Sequence, residues 1–384
     1  MSLTRRSLGL GAAALAAGPA RAAGMPFVAA LLGHMAALGD GPVLLNSYLI
    51  QQRAPEDSFD LTQDNTAYVY DNAVAGLFLL AAGQRKAALR IGQALALAQA
   101  HDRKFTDGRL RNAYAAGVMS IPAKLPGFWD KKAGRWDEDP YQAGTDSGPM
   151  AWAMLLWVGL GMTAQANAAG NFLNAALRAP SGYYGGFYGF DDAQQRLLWQ
   201  STEQNTDLMA AFGALGRHAD EAHAATFVRA MYNAETREFG SGTGPDGQRN
   251  TLLAADAGIW PYLAGLGDAA SALAAIKGLQ QGAGIGFSAA SKGIWLEGTS
   301  FAALALRKMG NGLAAEFLQT VRANISPEGY VYATVAPSLA TGLSVGPTLR
   351  KNQPEQAFTY YRRPSLSATS WAGLAMLGVN PLAA

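Results

Sequence analysis

The sequence predicts an all-α chain whose helices pair off and close into an (α/α)6 toroid, with short β-hairpin-like excursions in its loops. Three observations carry this. Segments apolar on nearly every face alternate strictly with amphipathic ones. Six such pairs recur along the chain, a period that marks stacked helical hairpins. Runs rich in Val, Ile and Thr, which a strand-based core requires, are scarce.

The elements fall in order as outer helix, then inner helix. Val28–Leu38 is amphipathic, and Val69–Leu80 is apolar all round. Arg85–Ala100 carries Arg, Lys and Gln on one face, and Met150–Leu160 carries two Trp and no charge. Ala164–Leu177 precedes Leu208–Leu215, and Asp220–Tyr232 precedes Ile259–Leu266. Ala269–Leu279 pairs with Phe301–Leu306, and Gly312–Arg322 with Trp371–Leu377. A short helix apolar on all faces belongs inside a large protein, whereas one polar face marks an outer layer. An open array needs polar capping repeats at its ends, and neither end has that character, so the ring is expected to close. The Gly-aromatic stretches Tyr183–Phe190 and Gly329–Thr334 read as hairpin-like loops.

Residues 1–24 have a charged start, a short Ala-rich apolar run and a small-residue end, the layout of a secretory signal peptide. The pair Arg5-Arg6 resembles a twin-arginine export signal. The reading is therefore a signal over 1–24, one catalytic domain over 25–384, and an exported protein, periplasmic or secreted. No apolar run is long enough to span a bilayer, so no stable membrane insertion is expected.

Composition removes several chemistries. The chain has 384 residues, no Cys, 4 His and a formal net charge of +2. Thiolate catalysis, disulfides, iron–sulfur clusters and Cys-built zinc sites are excluded. The near-neutral balance argues against nucleic acid as a partner. His34, His101, His218 and His223 fall in or beside outer helices without metal-ligand spacing, so neither metal nor cofactor is implied. Acid pairs at Asp137–Asp139 and Asp191-Asp192 offer an oxygen-ligand calcium site or a solvated loop.

The segments before the inner helices hold the chemistry. They are rich in Thr, Ser, Asn, Asp and Glu, residues that also cap helices, and on local sequence Asp146 and Asp256 read as caps. In a closed toroid, however, all inner helices start at one mouth, so Asp64, Asp146, Glu203, Asp256 and Glu297 would rim one cavity. Crowded carboxyls raise one another's pKa, which is how a general acid arises beside a base. Glu203 and Asp207 are spaced i, i+4 and share a helix face. Asp64, Tyr68 and Asp71, at i, i+4 and i+7, are expected to share another. Asp71 lies in an apolar run, so it either bonds to buried partners such as Asn72 or faces the cavity.

Aromatic residues interleave with these acids: Trp199 before Glu203, Trp295 before Glu297, Trp371 opening the last inner helix, and Trp129 and Trp136 around an acidic loop. Flat apolar faces beside carboxylates and amides such as Asn205 suit sugar rings. Two carboxylates flanking a scissile bond are what glycoside hydrolysis needs. Glu203 is the preferred general acid. Asp146 and Glu297 both stand as the base, with an inverting outcome favoured. Asp64, Tyr68, Asp71, Trp199, Asn205, Asp207, Trp295 and Trp371 are the candidate ligands of an oligosaccharide or polysaccharide.

The segments Asp64–Ala73, Ser201–Asp207 and Ile294–Thr299 resemble inner-helix openings of the six-hairpin, (α/α)6-barrel glycoside hydrolases and polysaccharide lyases of bacterial carbohydrate metabolism. The resemblance spans most of residues 28–377 and implies sugar-binding and catalytic acids at those openings. Two other readings stand beside hydrolysis. One is a polysaccharide lyase using Tyr68 or Tyr70, with Arg109 and Arg111 to neutralise a uronate. The other is a non-catalytic glycan-binding or assembly protein. Epimerases of this fold rely on paired inner His, which are missing. Arg362-Arg363, near Lys351, is expected to meet an acidic sugar or close a loop over the cleft.

Overall fold

A computed structural model describes residues 25–50, 58–346 and 357–383; residues 1–24, where an export signal is expected, and Lys351 lie outside them. The predicted alternation is present. The outer helices are α1 (Pro26–Ala37), α3 (Arg85–Ala100), α5 (Thr163–Phe172, continued as a π-turn over Leu173–Leu177), α7 (His218–Ala230), α9 (Ala269–Leu279) and α11 (Leu313–Arg322). The inner helices are α2 (Val69–Ala81), α4 (Ser147–Leu160), α6 (Thr202–Ala214), α8 (Ala255–Leu263), α10 (Leu296–Lys308) and α12 (Leu366–Leu377).

The two layers differ as their sequences require. In α11 the buried residues are Ala314, Phe317, Leu318 and Val321, one stripe at helical spacing. In α4 and α12 nearly every residue is buried. Each inner helix packs on the next through the series, and α12 returns to α2, which closes the ring. At its centre Trp152, Trp260, Trp371 and Phe301 meet edge-to-face or stacked, with centroids 5.4–5.8 Å apart. This plug fills the lumen beneath the starting ends of the inner helices.

The strand content is small and has one organised use. The residue immediately before each inner helix pairs, antiparallel, with the loop leading to the next inner helix. Tyr68 pairs with Ala113, Asp146 with Gly186, and Ser201 with Gly242. Ala254 bridges Ser288, Trp295 bridges Thr334, and Ser365 bridges Tyr48, which returns to the loop before α2. The six links form a closed belt around the mouth. Gly186 is needed in it: its φ is +150°, and a Cβ there would lie 1.9 Å from the Thr145 carbonyl oxygen.

One expectation fails here. Asp64, Tyr68 and Asp71 do not share a helix face, because Thr66–Tyr68 is extended and α2 begins only at Val69. Pairing with Ala113–Ala115 supplies hydrogen bonds that override the local helical spacing. Among the described residues no helix is long and apolar enough to cross a membrane.

Candidate active site

Capping does not account for the mouth acids. Helix α6 is capped by Ser201, whose Oγ accepts from the Gln204 amide, so Glu203 is released from that task. Ser365 likewise caps α12 through the Ala368 amide. Asp146 occupies the N-cap position of α4 yet makes no side-chain cap bond, contrary to its reading as a cap. Among these acids Asp256 accepts a local backbone bond, from the Ala257 amide at 2.7 Å.

Glu203 and Asp207 do lie one turn apart on α6, as their spacing requires. Glu203 keeps some exposure, whereas Asp207 beneath it is fully buried. Burial pushes the Glu203 carboxyl well above the usual range, and the charges of Asp256 and Asp207 push further. Glu203 hydrogen-bonds to Asp256, whose own carboxyl burial lifts to about 6 against the Ala257 amide and Glu203. Both carboxyls of the pair are thus raised, and the hydrogen bond between them requires one proton. Asp207 is also raised, by burial and then by Asp256. Both its oxygens and the nearby Trp152 indole N–H lack a hydrogen bond of ordinary geometry, although the indole lies close enough to favour the charged carboxyl.

Glu297 is held from both sides. Tyr70, on α2, donates to its Oε1 at 2.5 Å, and Ser367, on α12, donates to Oε2 at 2.7 Å. The Trp371 indole donates to the Tyr70 hydroxyl at 2.8 Å, which leaves that hydroxyl's hydrogen for Glu297. Burial lifts Glu297 to about 8 despite these two donors. Asp146 is lifted to about 7 by burial, opposed by Asn112, and its Oδ1 is buried without a partner. Asp71 is lifted to about 7 by burial, opposed by a bond from Ser47. Its neighbour Asn72 is committed elsewhere, to the Leu45 amide and carbonyl.

The mouth thus brings together Asp71, Asp146, Glu203, Asp207, Asp256 and Glu297, with Tyr70 and Ser367. Tyr68 takes bonds from Gln63 and Gln142 beside this group, and Tyr141 packs against it with ring centroids 6.1 Å apart. Asp64 lies farther out, in the turn before the strand, where its carbonyl accepts from Asn46. Trp199 is partly exposed and lies over Gly185.

Three expected ligands are instead scaffold. Asn205 is fully buried, and its amide is consumed by the Tyr183 N–H and C=O and the Ser201 carbonyl. Trp295 is buried against Phe287, Phe301 and Tyr360. Trp371 belongs to the central plug, and reaches the site only through its bond to Tyr70.

Other candidates are spoken for. Arg109 stacks on Phe105 and Phe172 and pairs with Asp107, while Arg111 is buried among Asp102, Asp191 and the Ala143 carbonyl. Asp137 meets Arg135, Asp139 caps Pro140–Ala143, and Asp192 meets Lys104. Among the described residues no group of acids and His is placed to hold a metal ion. His34 bonds Tyr330, His218 meets Glu221, and His223 bonds the Ala179 and Gly182 carbonyls, all away from the mouth. Arg363 forms a two-bond pair with Asp60, and Arg362 lies 3.9 Å over the Tyr332 ring.

The raised carboxyls have a consequence for stability. In the unfolded chain they ionise near pH 4; folded, Asp71, Asp146, Asp256 and Glu297 keep protons up to about 7, 7, 6 and 8. The folded state therefore binds more protons, and this contribution is complete below about pH 4 and lost as pH rises through 6–8. Burial opposes ionisation of Asp102 as well, but Arg111 holds it below the usual range, so it acts in a more acidic window. Melting at pH 5.5 should exceed melting at pH 8.5 by roughly 5 °C or more. A scanning-calorimetry series showing the opposite order would contradict the protonated cluster.

No family model matches the chain, and no curated protein matches it. Solved structures share its fold. A glycosidase variant in complex with glucose aligns over 94% of this chain and 98% of its own, with a TM-score of 0.58 at 13% identity. A novel alpha-amylase from Clostridium perfringens aligns over 91% and 96%, with 0.58 at 9% identity. Cellobiose 2-epimerase from Bacillus thermoamylovorans aligns over 91% and 98%, with 0.54 at 9% identity. At these identities the likeness is one of fold.

Proposed function

We propose that the chain is a glycoside hydrolase that cleaves a polysaccharide or oligosaccharide with inversion, Glu203 acting as general acid and Asp146 as general base. One observation carries this reading: Glu203, partly exposed and with its carboxyl pushed above the usual range by burial, opens on the same mouth as an acid of the adjacent inner helix. Glu203 gives its proton to the leaving oxygen, and Asp256 and Asp207 hold that proton in place until then. Asp146 is preferred to Glu297 as base because Glu297 is anchored on both oxygens, a state better suited to a sugar hydroxyl. Water between the two catalytic groups then attacks the sugar from the far face. Residues 25–384 serve as one catalytic domain in this reading, and residues 1–24 direct its export.

The lyase reading loses support because Arg109 is paired with Asp107, Arg111 with Asp102 and Asp191, and Tyr70 is committed to Glu297. The test is product analysis after incubating the protein with neutral and uronate-containing polysaccharides. Reducing ends without ultraviolet absorbance, of inverted anomeric configuration by proton NMR, are expected. An absorbing unsaturated product would replace hydrolysis by elimination, and no products across the panel would leave a binding protein.

A further inference from the structure

The hairpin Phe128–Asp130/Arg135–Asp137 bears the two most exposed indoles among the described residues, Trp129 at 58% and Trp136 at 49%. They stand directly opposite each other in the strand register. Strand alternation sends both to one face, and the Arg135–Asp137 ion pair to the other. The hairpin is built rather than frayed. Asp130 accepts from the Lys132 and Ala133 amides to shape the turn. The Trp136 ring lies close against Gly127, where a Cβ would come within 2.6 Å of its Nε1. The indole is thus held against backbone while about half of it meets solvent.

The hairpin is tied to the mouth. The Gly127 amide donates to Asn65, next to Asp64 at the entry to α2. On its other side the chain runs through Asp139 into Pro140–Ala143, whose Tyr141 packs on Tyr68, and then to Asp146. An exposed pair of large aromatics calls for a ligand. At these exposures the two indoles offer roughly 270 Å², about a third of what one partner contributes to a stable protein interface. A sugar ring stacks on such a surface with its C–H face.

We propose that Trp129 and Trp136 form an accessory glycan-binding platform outside the catalytic mouth, gripping a sugar chain several residues from its cleavage point. The platform deepens the carbohydrate-acting reading above, and it commits that reading to polymeric rather than small substrates.

The test is native electrophoresis of the full chain carrying Glu203→Gln, so that turnover does not erase the ligand, through gels containing glycogen, laminarin, xylan or pectin. At least one polysaccharide should retard it. Trp129→Ala and Trp136→Ala should each weaken that retardation roughly tenfold, the factor that 1.4 kcal/mol represents. Val118→Ala, which removes another exposed apolar group, should not. Trp136→Phe should retain part of the effect, separating stacking from hairpin folding. Equal retardation of the Trp variants, or no retardation of the parent by any polymer, overturns the platform. So does a dimer in sedimentation that Trp136→Ala dissolves without touching glycan binding. Trp-dependent retardation by a polymer that the unmodified protein leaves uncut keeps the platform and removes the hydrolase reading; cleavage with Trp-independent retardation does the reverse.

Discussion

Replacing Glu203 by Gln is expected to lower turnover by about 10²–10⁴-fold while leaving the fold intact. The amide keeps the size of the side chain and its place on α6, but has no proton acidic enough to give to a leaving alkoxide. Asp256 would then face a neutral partner that can still donate, so the cluster stays hydrogen-bonded. The discriminating measurement pairs turnover on a poor leaving group, such as a natural glycan, with turnover on an activated aryl glycoside. Loss on the first with substantial retention on the second marks the missing proton. Equal loss on both assigns Glu203 to binding or structure instead. Asp256→Asn should move the alkaline limb of the pH–rate profile to lower pH, because Glu203 then loses the charge that helps hold its proton.

The largest stability effect is expected at Arg111→Ala. The guanidinium is fully buried, with Nε and Nη2 on Asp102 at 2.6 and 2.8 Å, Nη1 on Asp191 at 2.6 Å, and a further bond to the Ala143 carbonyl. Its removal strands the buried Asp102 charge, a change that costs about 3–5 kcal/mol. The damage reaches the site as well. Adjacent Asn112 accepts from the Asp146 amide at 2.6 Å and donates to the Tyr141 carbonyl at 2.9 Å, so the same anchor positions Asp146. Chemical denaturation should show the loss directly. Unchanged stability would mean that the network is replaceable by solvent.

Much of the architecture was legible because burial writes itself into composition: Met150–Leu160 cannot face water, and Leu313–Arg322 can face it on one side only. The helix starts were less legible, and for a physical reason that bears on the site. Predicted starts at Leu208, Phe301 and Trp371 fall several residues inside the true ones at Thr202, Leu296 and Leu366. Those first turns are polar because they line the mouth, so the apolar signal begins only after the chemistry ends. Glu203, Asp207, Asp146 and Glu297 are legible in the sequence as acids at the openings of inner helices. Their partners were not, since Tyr70 meets Glu297 across 227 residues and Ser367 across 70. Nothing in local spacing links Asp256 to Glu203 either, which is why Asp256 read as a cap. Asn205, Trp295 and Trp371 show the converse error: residue type suited a sugar, but each is enclosed by packing that only the closed ring reveals.

The belt of pairings before the inner helices acts as a hoop on staves. Having no loose end, it cannot widen at one point without parting its links at another, so the bore below it is fixed. What the mouth admits must then be set above the hoop, by the loops that overhang it, and one scaffold can change its opening by exchanging those loops alone.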